Sequence, residues 1–249
     1  MTENPVVADP SGVQVLPAML RPVAHPVRSI TLGCLGIVFV LLCGMLITSS
    51  AAWTHGELVI LQQVSDHHAP ALDGLSIAIA WLFGTQVGPV LLVGWCVVLT
   101  FLSKRVTVGA TFLVIVGVTW IGNQGLKLLV ARPRPDRSLL SHPLTIEHSF
   151  SFPSGHTCFV AALAIALIVL FRGSRWQPLV IVIGATSAVV VAASRVYVGV
   201  HHPSDVIAAL IYACAAAAVI VPLWNRYAVP RLLWLDRPLQ RPGPAKSTP

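Results

Sequence analysis

Three short stretches hold most of the side chains able to do chemistry in this chain. The first runs from Lys127 to Arg132-Pro133-Arg134-Pro135. The second is Pro153-Ser154-Gly155-His156. The third runs from Ser194-Arg195 to His201-His202-Pro203-Ser204-Asp205. Their residue types suit a phosphate ester, whose negative charge spreads over the equatorial oxygens during transfer. Lys127, Arg134 and Arg195 would supply fixed positive charge, and Ser154 with the Gly155 amide would supply hydrogen bonds. Of the two histidines, one can attack phosphorus while the other protonates the leaving oxygen. Asp205 lies four residues after His201 and can reach back to its imidazole. A carboxylate on one ring nitrogen fixes the tautomer and leaves the other nitrogen free. The second stretch leads straight into an apolar segment, where unpaired N–H groups and the helix dipole favour an anion.

Each residue also has a plainer use. Lys127 could snorkel from a helix end, since a cation costs roughly 2.5–3.5 kcal/mol at the bilayer centre and less near the edge. Arg134 and Arg195 could be interfacial anchors, and Asp205 could simply suit a helix N-terminus. Arg132 and Arg137 stay evenly balanced between anchor and ligand and are left out of the site. His202 reads as a neighbour of His201. Asp66, His67, His68 and Asp73 lack a helical ligand pattern and read as an exposed polar loop, so no metal site is assigned.

The elements that must position these residues are membrane helices. The chain is 55% hydrophobic and 10% charged, with mean hydropathy +0.80; a soluble domain carries about 25% charged residues. Apolar runs long enough to cross a bilayer recur along it. The net charge of +7 belongs to span ends and loops, so a membrane partner is read and no nucleic acid. Spans are expected at 30–52, 87–102, 106–131, 157–171, 178–196 and 203–224. The stretch 53–86 is mixed, with 57–64 and 72–83 as interfacial or re-entrant helices. The first run, followed by Ser49-Ser50-Ala51, could be a signal peptide, but it is long for one and reads as a retained span. Residues 1–28 read as a disordered tail, 29–225 as the membrane domain and 226–249 as a basic, proline-rich tail. All five cysteines lie in apolar runs and read as small buried hydrophobes.

The expected fold is therefore an all-α integral membrane bundle of six transmembrane helices. Six spans put both termini on one side, together with eleven of the sixteen lysines and arginines, so that side is expected to be cytoplasmic. The other five, Lys127, Arg132, Arg134, Arg137 and Arg195, break the rule and cluster with the chemistry-bearing stretches on the outer face.

Taken together, Lys-x6-Arg-Pro, Pro-Ser-Gly-His and Ser-Arg-x5-His-x3-Asp resemble the three-part signature of the type 2 phosphatidic acid phosphatase superfamily. The signature covers residues 127–205, and the six-span layout extends the likeness to about 30–224. The resemblance implies that His201 is the nucleophile, that His156 is the general acid and that catalysis passes through a phosphohistidine. It implies a membrane lipid phosphate or polyprenyl diphosphate as substrate, no cofactor, and a plasma-membrane location with the site facing the periplasm or exterior. Phosphotransfer to a lipid or sugar acceptor, vanadate-dependent haloperoxidase chemistry and a non-catalytic lipid carrier are the rival readings. Neither the lipid nor the oligomeric state is expressed in these residues.

Overall fold

In the computed structural model, residue 20 and residues 23–236 are described. Eight main helices follow one another: α1 (Pro26–Ser49), α2 (Ala51–Ser65), α3 (Pro70–Leu82), α4 (Gly88–Ser103), α5 (Val106–Val130), α6 (Gly155–Leu170), α7 (Gln177–Tyr197) and α8 (Pro203–Leu223). No strand occurs among the described residues. Proline stands in the first turn of α1, α3, α4, α7 and α8, where its missing N–H costs nothing.

Helix α6 is the centre. It packs against α5, α7 and α8, and α1 lies along α8 on the far side. Phe112, Ile115 and Val116 of α5 meet Phe159 and Ala162 of α6 and Ala209 and Tyr212 of α8 in one apolar core. A helix buried on most sides needs no amphipathic stripe, so α6 is apolar nearly all round. The α1–α8 seam depends on glycine. A Cβ on Gly33 would stand 2.6 Å from Ala215 O and from Val219 Cγ2. Small residues here let the two backbones approach, the usual device of helix pairs in lipid. Ser29 Oγ donates to Ala218 O at 2.8 Å across the same seam.

The outer surface is apolar. Leu32, Leu35, Phe39, Phe101, Leu102, Ile121 and Leu128 are all exposed. Four helices, α1, α5, α7 and the stretch beginning with α8, are long and apolar enough to cross a membrane, while α3, α4 and α6 are shorter apolar helices. Such a surface around such helices makes this a multi-pass membrane protein.

Several sequence expectations are corrected here. Helix α1 begins at Pro26, inside the stretch assigned to a tail, and the rest of that expected tail lies almost wholly outside the described residues. Ala51 and Ala52 open α2 instead of closing the first span, because Ser50 turns extended and accepts a hydrogen bond from Trp53 N. At the other end, the chain stays helical beyond residue 225. A π turn at Trp224–Ala228 follows Pro222, then α9 (Val229–Leu232) and a 3-10 turn reach Asp236. Buried Asp236 accepts from Thr107 N at 3.0 Å and Thr107 Oγ1 at 2.6 Å, and Arg105 Nη1 lies 3.8 Å away. Residues 226–236 are thus docked to the start of α5. The cysteines are free, and Cys34 and Cys214 are exposed on the apolar surface instead of buried. His68 is not in an exposed loop either: its side chain is 4% exposed and stacks on Tyr197 at 4.2 Å. It also binds Tyr197 O at 3.0 Å and lies 3.2 Å from Asp73. No cluster among the described residues could hold a metal ion.

Candidate active site

The three stretches meet where α5, α6, α7 and α8 share one end. Helix α5 ends at Ala131, which takes a left-handed conformation (φ 50°). That conformation costs an L-residue about 1–2 kcal/mol and turns the chain sharply. The turn sends Arg132 inward and Arg134 across the site. The connection then folds back, with Ser151 N donating to Arg132 O at 2.8 Å and Ser154 N donating to Asp205 O at 3.0 Å. The first bond closes the α5–α6 connection on itself, and the second ties it to the start of α8.

His201 is fully buried between α7 and α8. Its Nδ1 lies 3.3 Å from Asp205 Oδ2 and its Nε2 lies 3.2 Å from Arg134 Nη1. Guanidinium only donates and carboxylate only accepts, so these partners assign the proton to Nδ1 and a lone pair to Nε2. Burial pulls the His201 pKa down to about 3, with the Asp205 bond opposing and Arg134 assisting. The ring is therefore neutral at rest, with an unprotonated Nε2 beside a cation.

Asp205 is the hub beneath it. Oδ2 accepts from His201, from His202 N at 2.9 Å and from Ser151 Oγ, and Oδ1 accepts from Arg132 Nη1 at 2.7 Å. Arg134 is as fully engaged: Nε donates to Ser149 O and Nη1 to Val200 O, both at 2.7 Å, and Nη2 to Glu147 Oε2 at 2.6 Å. Burial lowers the Arg134 pKa and Glu147 opposes that shift. Lys127 Nζ donates to Phe150 O at 2.9 Å. Gly155, at the start of α6, lies beside that ammonium: a Cβ built on it would stand 3.9 Å from Lys127 Nζ.

Arg195 reaches in from α7. It is fully buried; Nη2 donates to Ser76 O of α3 at 2.8 Å, while Nη1 has no hydrogen-bond partner and stands 4.0 Å from Glu147 Oε1. His156 sits opposite His201. Its Nε2 lies 3.0 Å from Ala80 O, which can only accept, so Nε2 carries a proton there and Nδ1 is left 3.7 Å from Glu147. Ser154 stands at the N-cap of α6, beside Gly155. Its amide is spent on Asp205 O and its hydroxyl accepts from Thr157 Oγ1 at 3.1 Å, so it braces α6 against α8.

The structure thus brings Lys127, Arg134, Ser154, Gly155, His156, Arg195, His201 and Asp205 into one cluster. Three further charged residues belong beside them. Glu147 reaches Arg134, His156 and Arg195 together. Burial would raise its pKa, but His201, Arg134, His156 and Lys127 outweigh that and hold it below the usual carboxylate range. Arg132, left out above, is buried and paired with both Asp205 and Glu57 at 2.7 Å. Glu57 of α2 is buried as well. Its one available signal is an acid in an otherwise uncharged helix; Glu147, among polar loop residues, gives none. Arg137 Nη2 donates to Pro143 O at 3.4 Å, and His202 donates its amide to Asp205 Oδ2 at 2.9 Å, with its ring Nδ1 3.5 Å from the same oxygen. A cavity of about 580 Å³ opens beside His156, walled by Ile77, Ala80, Trp81, Ile146 and Glu147.

An all-helical membrane protein whose buried cations converge on one carboxylate between two histidines has the makings of an anion-handling enzyme. Residues 108–228 match the PAP2 superfamily. The chain is 33% identical over 155 residues to undecaprenyl-diphosphatase BcrC of Bacillus subtilis (strain 168), covering 59% of this chain and 72% of that protein. It is 37% identical over 112 residues to phosphatidylglycerophosphatase B of the same organism, covering 43% and 53%. The solved structure of a transmembrane PAP2 type phosphatidylglycerolphosphate phosphatase from Bacillus subtilis superposes with a TM-score of 0.64 at 25% identity, over 84% of this chain and 98% of that one. The chain belongs to the PAP2 superfamily. It spans about half the length of phosphatidylglycerophosphatase B, and of an undecaprenyl-diphosphatase from Sulfolobus acidocaldarius that it also matches.

Proposed function

We propose that this protein is a membrane phosphatase that hydrolyses a lipid phosphate or a polyprenyl diphosphate through a phosphohistidine. The observation that carries the reading is the Nε2 of His201, unprotonated and set between Asp205 and Arg134. Nε2 attacks phosphorus, the bond from phosphorus to the leaving oxygen breaks, and that oxygen takes the Nδ1 proton of His156 in its imidazolium form, which becomes neutral while its Nε2 proton stays on Ala80 O. The new imidazolium keeps its Nδ1 proton on Asp205, which stabilises the developing charge. Water then attacks phosphorus with His156 as base, the P–N bond breaks, and inorganic phosphate leaves. Lys127, Arg134, Arg195 and the Gly155 amide hold the phosphoryl oxygens, and Arg195 Nη1 is a buried donor with no hydrogen-bond partner among the described residues. Ser154 braces the same cradle. The His156-side cavity, largely apolar, suits the lipid part of the leaving group.

In this reading α1, α4, α5, α6, α7 and α8 are six spans, and both chain ends lie on the cytoplasmic side. The cradle then faces the periplasm or exterior of a plasma membrane, where the headgroup meets water. The basic residues that break the charge rule are explained by this site, Arg132 through Asp205 and the others except Arg137 through phosphate. The test is phosphate release by the purified protein in detergent, without acceptor, from a panel of lipid monophosphates and diphosphates. His201→Ala and His156→Ala are expected to abolish release while lipid binding persists. Wild-type inactivity on the whole panel, or full activity of His201→Ala, overturns the reading; release only with an added acceptor makes the protein a transferase.

A further inference from the structure

Behind Asp205, on the side away from the cradle, lies a second layer of charge. Arg132 Nη1 donates to Asp205 Oδ1 at 2.7 Å and to Ser204 Oγ at 2.8 Å, and its Nη2 donates to Glu57 Oε2 at 2.7 Å. Glu57 completes a ring: Oε1 accepts from Ser204 N at 2.6 Å and Oε2 from Ser204 Oγ at 3.0 Å. Glu57, Arg132 and Asp205 are all buried. Glu57 also lies outside the stretch 108–228 that matches the superfamily.

The charges decide what this layer does. A lone arginine 2.7 Å from Asp205 would cancel the carboxylate that His201 needs when its ring becomes cationic. Glu57 balances the arginine, and the three groups together carry one net negative charge. Ser204 holds the geometry, because its amide is one of the unpaired donors at the start of α8 and Glu57 satisfies it. Removing one member leaves a buried charge uncompensated.

We propose that Glu57 and Arg132 are a positioning pair for the nucleophile: Arg132 aims Asp205, and Glu57 keeps the charge behind His201 at minus one. The pair touches no reacting atom and acts through Asp205. This inference rests on His201 being the nucleophile. Other titratable or charged groups face His201 and Asp205 as well: Arg134 and Glu147 from the α5–α6 connection, Lys127 from α5 and the His202 ring, 3.5 Å from Asp205, with His156 and Arg195 next to Glu147.

The test is a charge cycle with Glu57→Gln, Arg132→Gln and the double variant, scored by the pH profile of kcat/KM for the best substrate of the phosphate-release panel. Glu57→Gln leaves Asp205 opposed by Arg132 and is expected to lower kcat/KM by about 10- to 100-fold. Arg132→Gln leaves two uncompensated carboxylates and is expected to raise the acid limb of the profile by about one pH unit. The double variant restores the net charge; it is expected to recover part of the Glu57→Gln loss and to return the acid limb to its wild-type position. A purely structural pair predicts the reverse, with the double variant at least as impaired as either single and no movement of the limb. That result overturns the proposal. Where Glu57→Gln does not fold, Arg132→Gln against the charge-preserving double variant carries the test: a limb raised by about a unit in the single and restored in the double supports the proposal, and an unmoved limb in Arg132→Gln sinks it. His201→Ala run alongside separates the two failures, since activity surviving there removes the nucleophile reading itself.

Discussion

Glu147→Gln is expected to tighten inhibition by inorganic phosphate. In the wild-type chain the Glu147 carboxylate lies among the groups proposed to hold the phosphoryl oxygens, 2.6 Å from Arg134, 3.7 Å from His156 and 4.0 Å from Arg195. An incoming phosphate has to displace it. At an effective dielectric of about 20, one unit charge at about 4 Å is worth roughly 4 kcal/mol, and a partly exposed carboxylate regains much of that in water on release. The net cost of lifting one charge-assisted contact is then about 1.5–3 kcal/mol, or about 10- to 150-fold in affinity. Glutamine keeps the shape and removes the charge, so the inhibition constant for phosphate should fall by that factor. The pH dependence has a defined sign. Glu147 is held below the usual carboxylate range, so it stays ionised above its unfolded value and loses its charge only as pH falls through the lower folded value. The ratio between wild type and Glu147→Gln should therefore be flat from about pH 5 to about pH 8. The assay is phosphate inhibition of lipid-phosphate hydrolysis in detergent across that range. An unchanged or weaker phosphate constant in Glu147→Gln would refute the reasoning, because Glu147 would then assist the anion and not compete with it.

Three other outcomes are expected. Asp236→Ala should lower stability by about 1–3 kcal/mol, because Thr107 N and Oγ1 lose their acceptors; thermal unfolding in detergent measures it. Gly33→Val should cost about 1–3 kcal/mol by forcing α1 away from Ala215 and Val219, read as a lowered Tm with the core of α5 and α6 still protected from proteolysis. Neutral His201 should make the fold acid-sensitive. Its folded pKa of about 3 lies below the unfolded value of about 6.5, so this contribution is complete above the unfolded value and is lost as pH falls toward the folded one. The Tm of wild type should then drop more steeply below about pH 6.5 than that of His201→Gln.

The chemistry-bearing residues were legible because the chain is so apolar. Against that background Lys127, Arg195, His201 and Asp205 stand out by type, and their spacing places each at a helix end. The α5–α6 connection was not legible in the same way. Arg132 and Arg134 are two residues apart in one polar stretch, yet one faces back to Asp205 and the other forward to His201. That division is made by the left-handed turn at Ala131, which no residue type announces. Glu57 depends on α2 folding beneath α8, a contact between residues 147 positions apart. The helical end of the chain was hidden for another reason. Proline and basic residues dominate its composition, while its docking rests on one carboxylate, Asp236. His68 shows the same limit, since a polar pair in a short connection looks exposed until Tyr197 covers it.

The Ser154 N–Asp205 O bond to α8, with the Ser151 N–Arg132 O bond that closes the α5–α6 connection, divides the site into unequal mechanical halves. His201, Asp205, Arg132, Arg134 and Ser154 belong to one knitted piece, with Arg134 fastened to both Ser149 O and Val200 O. His156 and Arg195 instead lean on α3, through Ala80 O and Ser76 O. Helix α3 is short, and Leu72, Leu75 and Trp81 leave much of its surface facing lipid. A sideways displacement of α3 would therefore reach His156 and Arg195, the proposed proton donor and one proposed phosphate ligand, and leave His201 in place. In the proposed mechanism, bilayer thickness and lateral pressure would then act on the departure of the leaving group through α3 and not on the attack.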